Sequence, residues 1–174
     1  MGRTLLLTGR PGVGKTTVIK KVAKVLGDQA GGFYTEEIRG TDGRRRGFRL
    51  VTLDGDEAVM AHLDLLGEGR PRVSRYGVDV DAIREVGVTA LRRAMEANQV
   101  IIVDEIGRME LFCEPFKEAV IAAVDGRNPV LATAMRGSHP WVDALKARQQ
   151  VEIWCVTTRN RDRMPESVLQ HLER

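Results

Sequence analysis

The spacing of apolar and polar positions changes period several times along the chain, and each change marks an element. Leu5-Leu6-Leu7 is a short apolar run ended by Thr8-Gly9. Beyond a turn rich in glycine, Val18, Val22, Val25 and Leu26 recur at helical spacing, with Lys20, Lys21 and Lys24 on the other side. Gly27 stops that helix. Gly32 to Thr35, Gly47 to Thr52 and Glu57 to Ala61 read as strands, and Asp54-Gly55 between the last two predicts a tight hairpin. From Asp81 the helical period returns through Ile83, Val86, Ala90, Leu91, Ala94 and Met95, with Asp79 or Asp81 as its cap. Val100-Ile101-Ile102-Val103 is apolar without alternation, as in a strand buried on both faces of a parallel sheet. A helix over about 114–124, a strand at Val130 to Thr133, a short helix after Pro140, a strand at Val151 to Val156 and a last helix to Leu172 complete the order.

Strands alternating with helices predict an α/β fold of three layers, α/β/α, around a mainly parallel sheet. A small antiparallel insert over about 31–61 interrupts it. No internal repeat or linker divides the chain, so residues 1–174 are expected to form a single domain. Trp154, in an apolar strand, is expected in the core, and Cys113 and Cys155 as buried thiols.

Composition changes this picture only at the margins. A chain of 174 residues buries about 70% of its extended surface on folding, enough for a core without staples. Hydrophobic residues at 43% and charged residues at 29% exclude a disordered chain. No apolar run reaches bilayer length, the opening is too short for a secretory segment, and the two cysteines lack metal-ligand spacing. A reduced, cytoplasmic protein with no membrane partner is expected. The net charge of +3 suits an anionic ligand without demanding nucleic acid. Arg44-Arg45-Arg46 is short, lacks interleaved aromatics and is offset by Glu36, Glu37 and Asp42, so it reads as a solvated turn. No heptad or apolar surface stripe appears, which points to a monomer.

The chemistry lies first in Gly9-Arg10-Pro11-Gly12-Val13-Gly14-Lys15-Thr16, which fits G-x-x-x-x-G-K-[ST] between a strand and a helix. Glycines let backbone N–H groups turn around phosphate oxygens, and the helix N-terminus adds partial positive charge. Lys15 would reach the β- and γ-phosphates, and the Thr16 hydroxyl would ligate Mg²⁺. The second signature is Asp104-Glu105 at the end of the apolar strand, where a parallel sheet meets its ligand. Asp104 would hold the Mg²⁺ shell, and Glu105, turned another way, would polarise a water attacking the γ-phosphorus. A dedicated base beside the metal carboxylate favours hydrolysis over transfer to an acceptor. Two alternatives stay open: a nucleoside or nucleotide kinase, and a nucleotide-dependent switch acting on nucleic acid or a protein.

Asp104-Glu105-Ile106-Gly107-Arg108-Met109-Glu110-Leu111-Phe112 resembles the nucleoside-triphosphatase family of the thermostable microbial enzymes and the human cancer-related nucleoside triphosphatase. Gly9 to Thr17, Gly32 to Arg39, Gly47-Phe48-Arg49, Tyr76 to Asp79 and Asn160-Arg161-Asp162 extend the likeness nearly end to end. The resemblance implies a RecA-like P-loop fold with a catalytic glutamate. It implies slow, Mg²⁺-dependent hydrolysis of ATP, GTP and other triphosphates to diphosphate and phosphate, tolerant of the base. It also adds Thr17 to the phosphate-binding segment. Arg108 stands where the family commonly has Lys, Cys113 where it has Ser, and Thr133-Ala134-Met135 where a Thr-Ile-Pro-like stretch is usual.

Other residues carry competing readings. Arg108 could be a cation supplied in cis to the γ-phosphate, or a surface partner of Glu110 or Glu114; Arg136 is a second such cation. Thr35, Glu36 and Glu37 could touch the metal's water shell or could simply be solvated. Asn160 and Arg161 are candidates for ribose or base contact, against capping of the last helix by Asn160 and Asp162. Tyr76 could stack on a base or pack in the core.

Overall fold

The computed structural model describes residues 2–173. Its strands, in chain order, are β1 (Thr4–Thr8), β2 (Ala30–Arg39), β3 (Arg45–Thr52), β4 (Glu57–His62), β5 (Arg72–Val73), β6 (Tyr76–Val78), β7 (Val100–Ile106), β8 (Val130–Ala134) and β9 (Val151–Cys155). The helices are α1 (Lys15–Leu26), α2 (Val80–Ala82), α3 (Thr89–Glu96), α4 (Glu114–Asp125), α5 (Pro140–Lys146) and α6 (Met164–Leu172), with a π-helical stretch, Ile83–Val88, joining α2 to α3. Asp79 caps α2 by accepting from the Ala82 N–H, and His139 caps α5 by accepting from the Trp141 N–H.

All described strands hydrogen-bond into one sheet, ordered β5-β6-β4-β3-β2-β7-β8-β1-β9. The run β2-β7-β8-β1-β9 is parallel. Its interior strands read as unbroken apolar runs because both faces are covered. Leu5, Leu7, Ile102 and Leu131 face one layer, clustered with Val18, Ile19 and Val22 of α1 and Met164 and Val168 of α6. Leu6, Ile101, Val103 and Ala132 face the other, clustered with Leu91 of α3 and Phe116 and Val120 of α4. These are the three layers that the segment order predicts. Among the described residues no helix is long and apolar enough to cross a membrane.

The antiparallel part is larger than the pattern suggests. Only Ala30–Phe33 of β2 pair in parallel with β7; the rest of the strand pairs with β3, and the chain continues through β4, out to the edge strand β5 and back through β6, which ends at Val78. β5 and β6 are too short to show a period. Gly32, at φ +106°, lies so close to β7 that a Cβ there would sit 2.1 Å from the Ile102 carbonyl oxygen. Only glycine lets the two strands meet at this point.

Three further expectations need correction. The last helix begins at Met164, so Asn160, Arg161 and Asp162 lie in turns ahead of it. Trp154 is only half-buried, because β9 is an edge strand with a neighbour on one side; its ring meets His171 and its N–H donates to Glu152. Cys155, on the same strand, is exposed, whereas Cys113 is buried.

Candidate active site

β1 runs directly into the Gly9–Thr16 loop, and the loop into α1. Gly12 and Gly14 hold φ of +75° and +113°, values that side chains disfavour. No carboxylate sits in the first turn of α1 and no side chain caps it. The free amide N–H groups and dipole of that turn therefore remain available to an anion. The Lys15 ammonium lies back over the loop and donates to the Gly9 carbonyl at 3.1 Å.

β8 lies between β1 and β7, so the phosphate loop and the acidic strand end are one strand apart. The β7–β8 register runs regularly to Val103 with Ala132, breaks, and resumes at Ile106 with Ala134. Asp104 and Glu105 occupy the break, joined by a cis peptide bond. An interruption of the ladder re-aims side chains that strict alternation would fix.

Asp104 is fully buried, and four groups converge on its carboxylate. Thr133 Oγ1 of β8 donates to Oδ1 at 2.6 Å. Thr16 Oγ1 donates to Oδ2 at 2.9 Å, and the Thr35 N–H and hydroxyl reach the same oxygen at 3.2 and 3.4 Å. Burial pushes the Asp104 carboxyl above its ordinary range; the threonine hydrogen bonds and the charge of Lys15 oppose that. The donors are neutral, so the charge has no direct cationic partner there. A hard cation with oxygen ligands fits this site, and the hydroxyl of Thr16 is already placed beside the carboxylate. Among the described residues no cluster of three His, Cys, Asp or Glu could hold a metal alone. Such a cation would therefore be shared with phosphate oxygens, as is usual for Mg²⁺.

Glu105 lines a cavity of about 630 Å³ together with Pro11, Gly12, Gly14, Lys15, Thr16 and Thr17 of the loop, and with Thr35, Glu37, Arg45 and Phe48 of the antiparallel part. Burial raises the Glu105 carboxyl, with Lys15 pulling it down. Lys20 and Glu36 border the same cavity as an ion pair; Lys20 first and Arg49 second hold the Glu36 carboxyl below its ordinary range. Across the loop, a second cavity of about 340 Å³ is lined by Thr8, Gly9, Arg10, Val13, Arg136 and residues 155–158.

A family model described as NTPase matches residues 4–169. The chain belongs to the NTPase family. It is 44% identical over 170 residues to a nucleoside-triphosphatase THEP1 of Thermotoga maritima, covering 97% of this chain and 95% of that protein. The crystal structure of THEP1 from the hyperthermophile Aquifex aeolicus superposes with a TM-score of 0.89 at 36% identity, covering 98% of this chain and 99% of that one. The solution structure of a human cancer-related nucleoside triphosphatase gives a TM-score of 0.84 at 34% identity, covering 99% and 98%.

In this NTPase-family chain the fold gathers Lys15, Thr16, Thr17, Asp104 and Glu105 at one place, with Thr35, Glu36 and Glu37 on the wall of the same cavity, whereas Arg108, Arg136, Asn160, Arg161 and Tyr76 do not line it. Arg108 lines a separate cavity with Arg72, Leu111, Phe112 and His139, apart from Lys15 and Glu105. Its expected surface partners are also engaged elsewhere: Glu110 is buried and accepts from the Gly107 N–H, and Glu114 pairs with Lys117. Asn160 spends its amide on the Thr157 N–H and the Cys155 carbonyl, shaping the loop after β9, while Arg161 donates to the Val13 carbonyl at the back of the phosphate loop. Tyr76 is buried against Phe48 and is a packing residue. Thr133 was legible only as the one polar residue in an apolar strand; Phe48 appeared only within the Gly47-Phe48-Arg49 likeness, and Arg45 only within an arginine run read as a solvated turn, whereas β3 begins at Arg45 and brings both residues to the cavity wall.

Proposed function

We propose that the chain is a Mg²⁺-dependent nucleoside-triphosphate phosphatase, slow and tolerant of the base, that splits triphosphates into diphosphate and phosphate. The observation that carries this reading is the break in the β7–β8 ladder. It sets a buried carboxylate beside the Thr16 hydroxyl and turns a second carboxylate into the cavity that holds Lys15. The loop amides and Lys15 would bind the β- and γ-phosphates. Thr16 and Asp104 would hold Mg²⁺, which when bound neutralises charge on the phosphate oxygens.

Glu105 is the base of this reading. A carboxyl lifted above its ordinary range is a stronger proton acceptor once ionised, and its wall of the cavity faces the loop. The nucleoside would lie in the cavity lined by Arg10, Val13 and Thr157. The described residues of that lining include hydroxyls, backbone and arginines, but no aromatic ring, carboxylate or amide side chain to read one base edge. That composition supports base tolerance. The same proposal takes the protein as a cytoplasmic, single-domain monomer acting on free nucleotides.

The test is phosphate release with Mg²⁺ and each of ATP, GTP, CTP and UTP, with and without nucleoside and monophosphate acceptors. Release from several triphosphates, indifferent to acceptors, is expected. Glu105→Gln should lower kcat by about 10²–10⁴-fold while nucleotide binding stays, and Lys15→Ala should lose binding. Phosphate appearing on an acceptor instead would make the protein a kinase.

A further inference from the structure

We propose that Arg45 is the cation that stabilises the γ-phosphoryl group as it transfers to water, delivered by the antiparallel part of the sheet, which shares the cavity with the phosphate loop. The inference rests on the hydrolase reading above and supplies the charge that Arg108 and Arg136 do not bring to that cavity.

Arg44, Arg45 and Arg46 look equivalent in sequence, but the fold separates them. β2 and β3 pair Ile38 with Gly47 and then Arg39 with Arg45, leaving Arg46 without a partner in the ladder. The extra residue reverses the alternation along β3. Arg45 thereby moves to the face of Glu37 and Phe48, which are themselves directly paired. Arg44 and Arg46 remain outside with Asp42. Among the described residues Arg45 is the one arginine that lines the cavity containing Lys15, Thr16 and Glu105. Of the other two cations there, Lys15 belongs to the phosphate loop and would hold the β- and γ-phosphates from that side, and Lys20 is paired with Glu36.

The surroundings of Arg45 hold it ready without locking it. Its guanidinium lies over the Phe48 ring, 5.3 Å from the centroid, and Phe48 is braced edge-on by Tyr76. Glu37 pairs with Arg45 and, at the same time, with Arg39. One carboxylate serving two guanidiniums can release one of them and stay neutralised by the other. Both members of the Arg45–Glu37 pair are substantially solvent-exposed, so the attraction is weak beside that of a triphosphate.

In the reaction, the water oxygen forms a bond to the γ-phosphorus as the bond to the β–γ bridging oxygen breaks. The electron pair departs with the diphosphate and the water proton passes to Glu105. Arg45 transfers no proton. Its N–H groups donate to the oxygens on which charge gathers, which is where a guanidinium contributes most.

Phosphate release by Arg45→Ala should fall on the order of 10³-fold in kcat, with KM for ATP changed only a few-fold. Arg45→Lys should recover part of the loss, and added guanidinium ion part of the loss in Arg45→Ala. Arg44→Ala serves as the neighbouring control and should match the wild type. A binding arm needs no turnover: Arg45→Ala should bind Mg²⁺–ADP normally but lose affinity for Mg²⁺–ADP with aluminium fluoride, a mimic of the transferring group. Wild-type kcat in Arg45→Ala overturns the proposal, as does equal loss of affinity for ADP with and without aluminium fluoride. Wild-type protein that releases no phosphate overturns the hydrolase reading, and the binding arm then decides Arg45 alone.

Discussion

Glu110 shows how far one residue can depart from its appearance in sequence. Set between Arg108 and Glu114, it reads as a surface acid. In the fold it is buried, and its carboxyl accepts from the Gly107 N–H at 3.1 Å. A Cβ on Gly107 would lie 3.2 Å from an oxygen of Glu110 and 3.2 Å from one of Glu105, so both acids border the same small space. Burial first, and the charge of Glu105 second, push the Glu110 carboxyl up to about 8. The group is therefore neutral at pH 7 in the folded chain and ionised in the unfolded one. The unfolded state binds fewer protons between the ordinary glutamate range and about pH 8, so stability falls as pH rises through that window. Glu110→Gln keeps an acceptor for Gly107 and cannot ionise. Its melting temperature should decline less than that of the wild type between pH 5 and about pH 8. Parallel melting curves for the two proteins across that range would contradict an uncharged Glu110.

At the scale of elements, β8 couples the two halves of the site. It stands between the phosphate-loop strand and the acidic strand, and its Thr133 hydroxyl is one of the donors that fix Asp104. Thr133→Val keeps the shape and removes the donor. Losing a buried partner of a carboxylate costs about 1–3 kcal/mol, so the variant should melt earlier and need more Mg²⁺ for half-maximal phosphate release. An unchanged Mg²⁺ titration would mean that Thr133 only fills space. The regular elements were legible because periodicity reports burial: the apolar run of β7 and the hairpin at Asp54-Gly55 stand where the pattern puts them, and the stripe of α1 does so at Val18 and Val22, while Val25 is exposed and Ile19 belongs to the buried face instead. The irregular ones were not. The ladder breaks at Asp104-Glu105 and at Arg46 decide where Glu105 and Arg45 point, yet each depends on which residue the neighbouring strand supplies, and a single strand's sequence does not record its partner. The motif residues Lys15, Thr16, Asp104 and Glu105 stand out in the sequence because phosphate-binding chemistry demands fixed residue types in fixed places, and the fold brings them together. Arg45 was hidden because its place depends on pairing between strands.

For the molecule as a whole, a bound triphosphate would touch the N-terminus of α1, the end of β7 and the overhanging part of β2 and β3 at once. Binding to the folded state alone raises its stability by about 2.7 kcal/mol at a hundredfold excess over Kd. Mg²⁺–ATP should accordingly raise the melting temperature of Glu105→Gln, where turnover does not drain the ligand, and leave that of Lys15→Ala unchanged. A rise in Lys15→Ala equal to that in Glu105→Gln would place the nucleotide elsewhere. The ends of the sheet have a different bearing. One edge is β5, two residues long, and the other is β9, which carries exposed Glu152 at its second position. An unpaired edge is a template on which another chain can add a strand, and templates of this kind work best when long, flat and uncharged. Here one is too brief to register a neighbour and the other sets a negative charge in the way. As long as the chain stays folded, neither end of the sheet offers a second copy a long, uncharged strand on which to extend it.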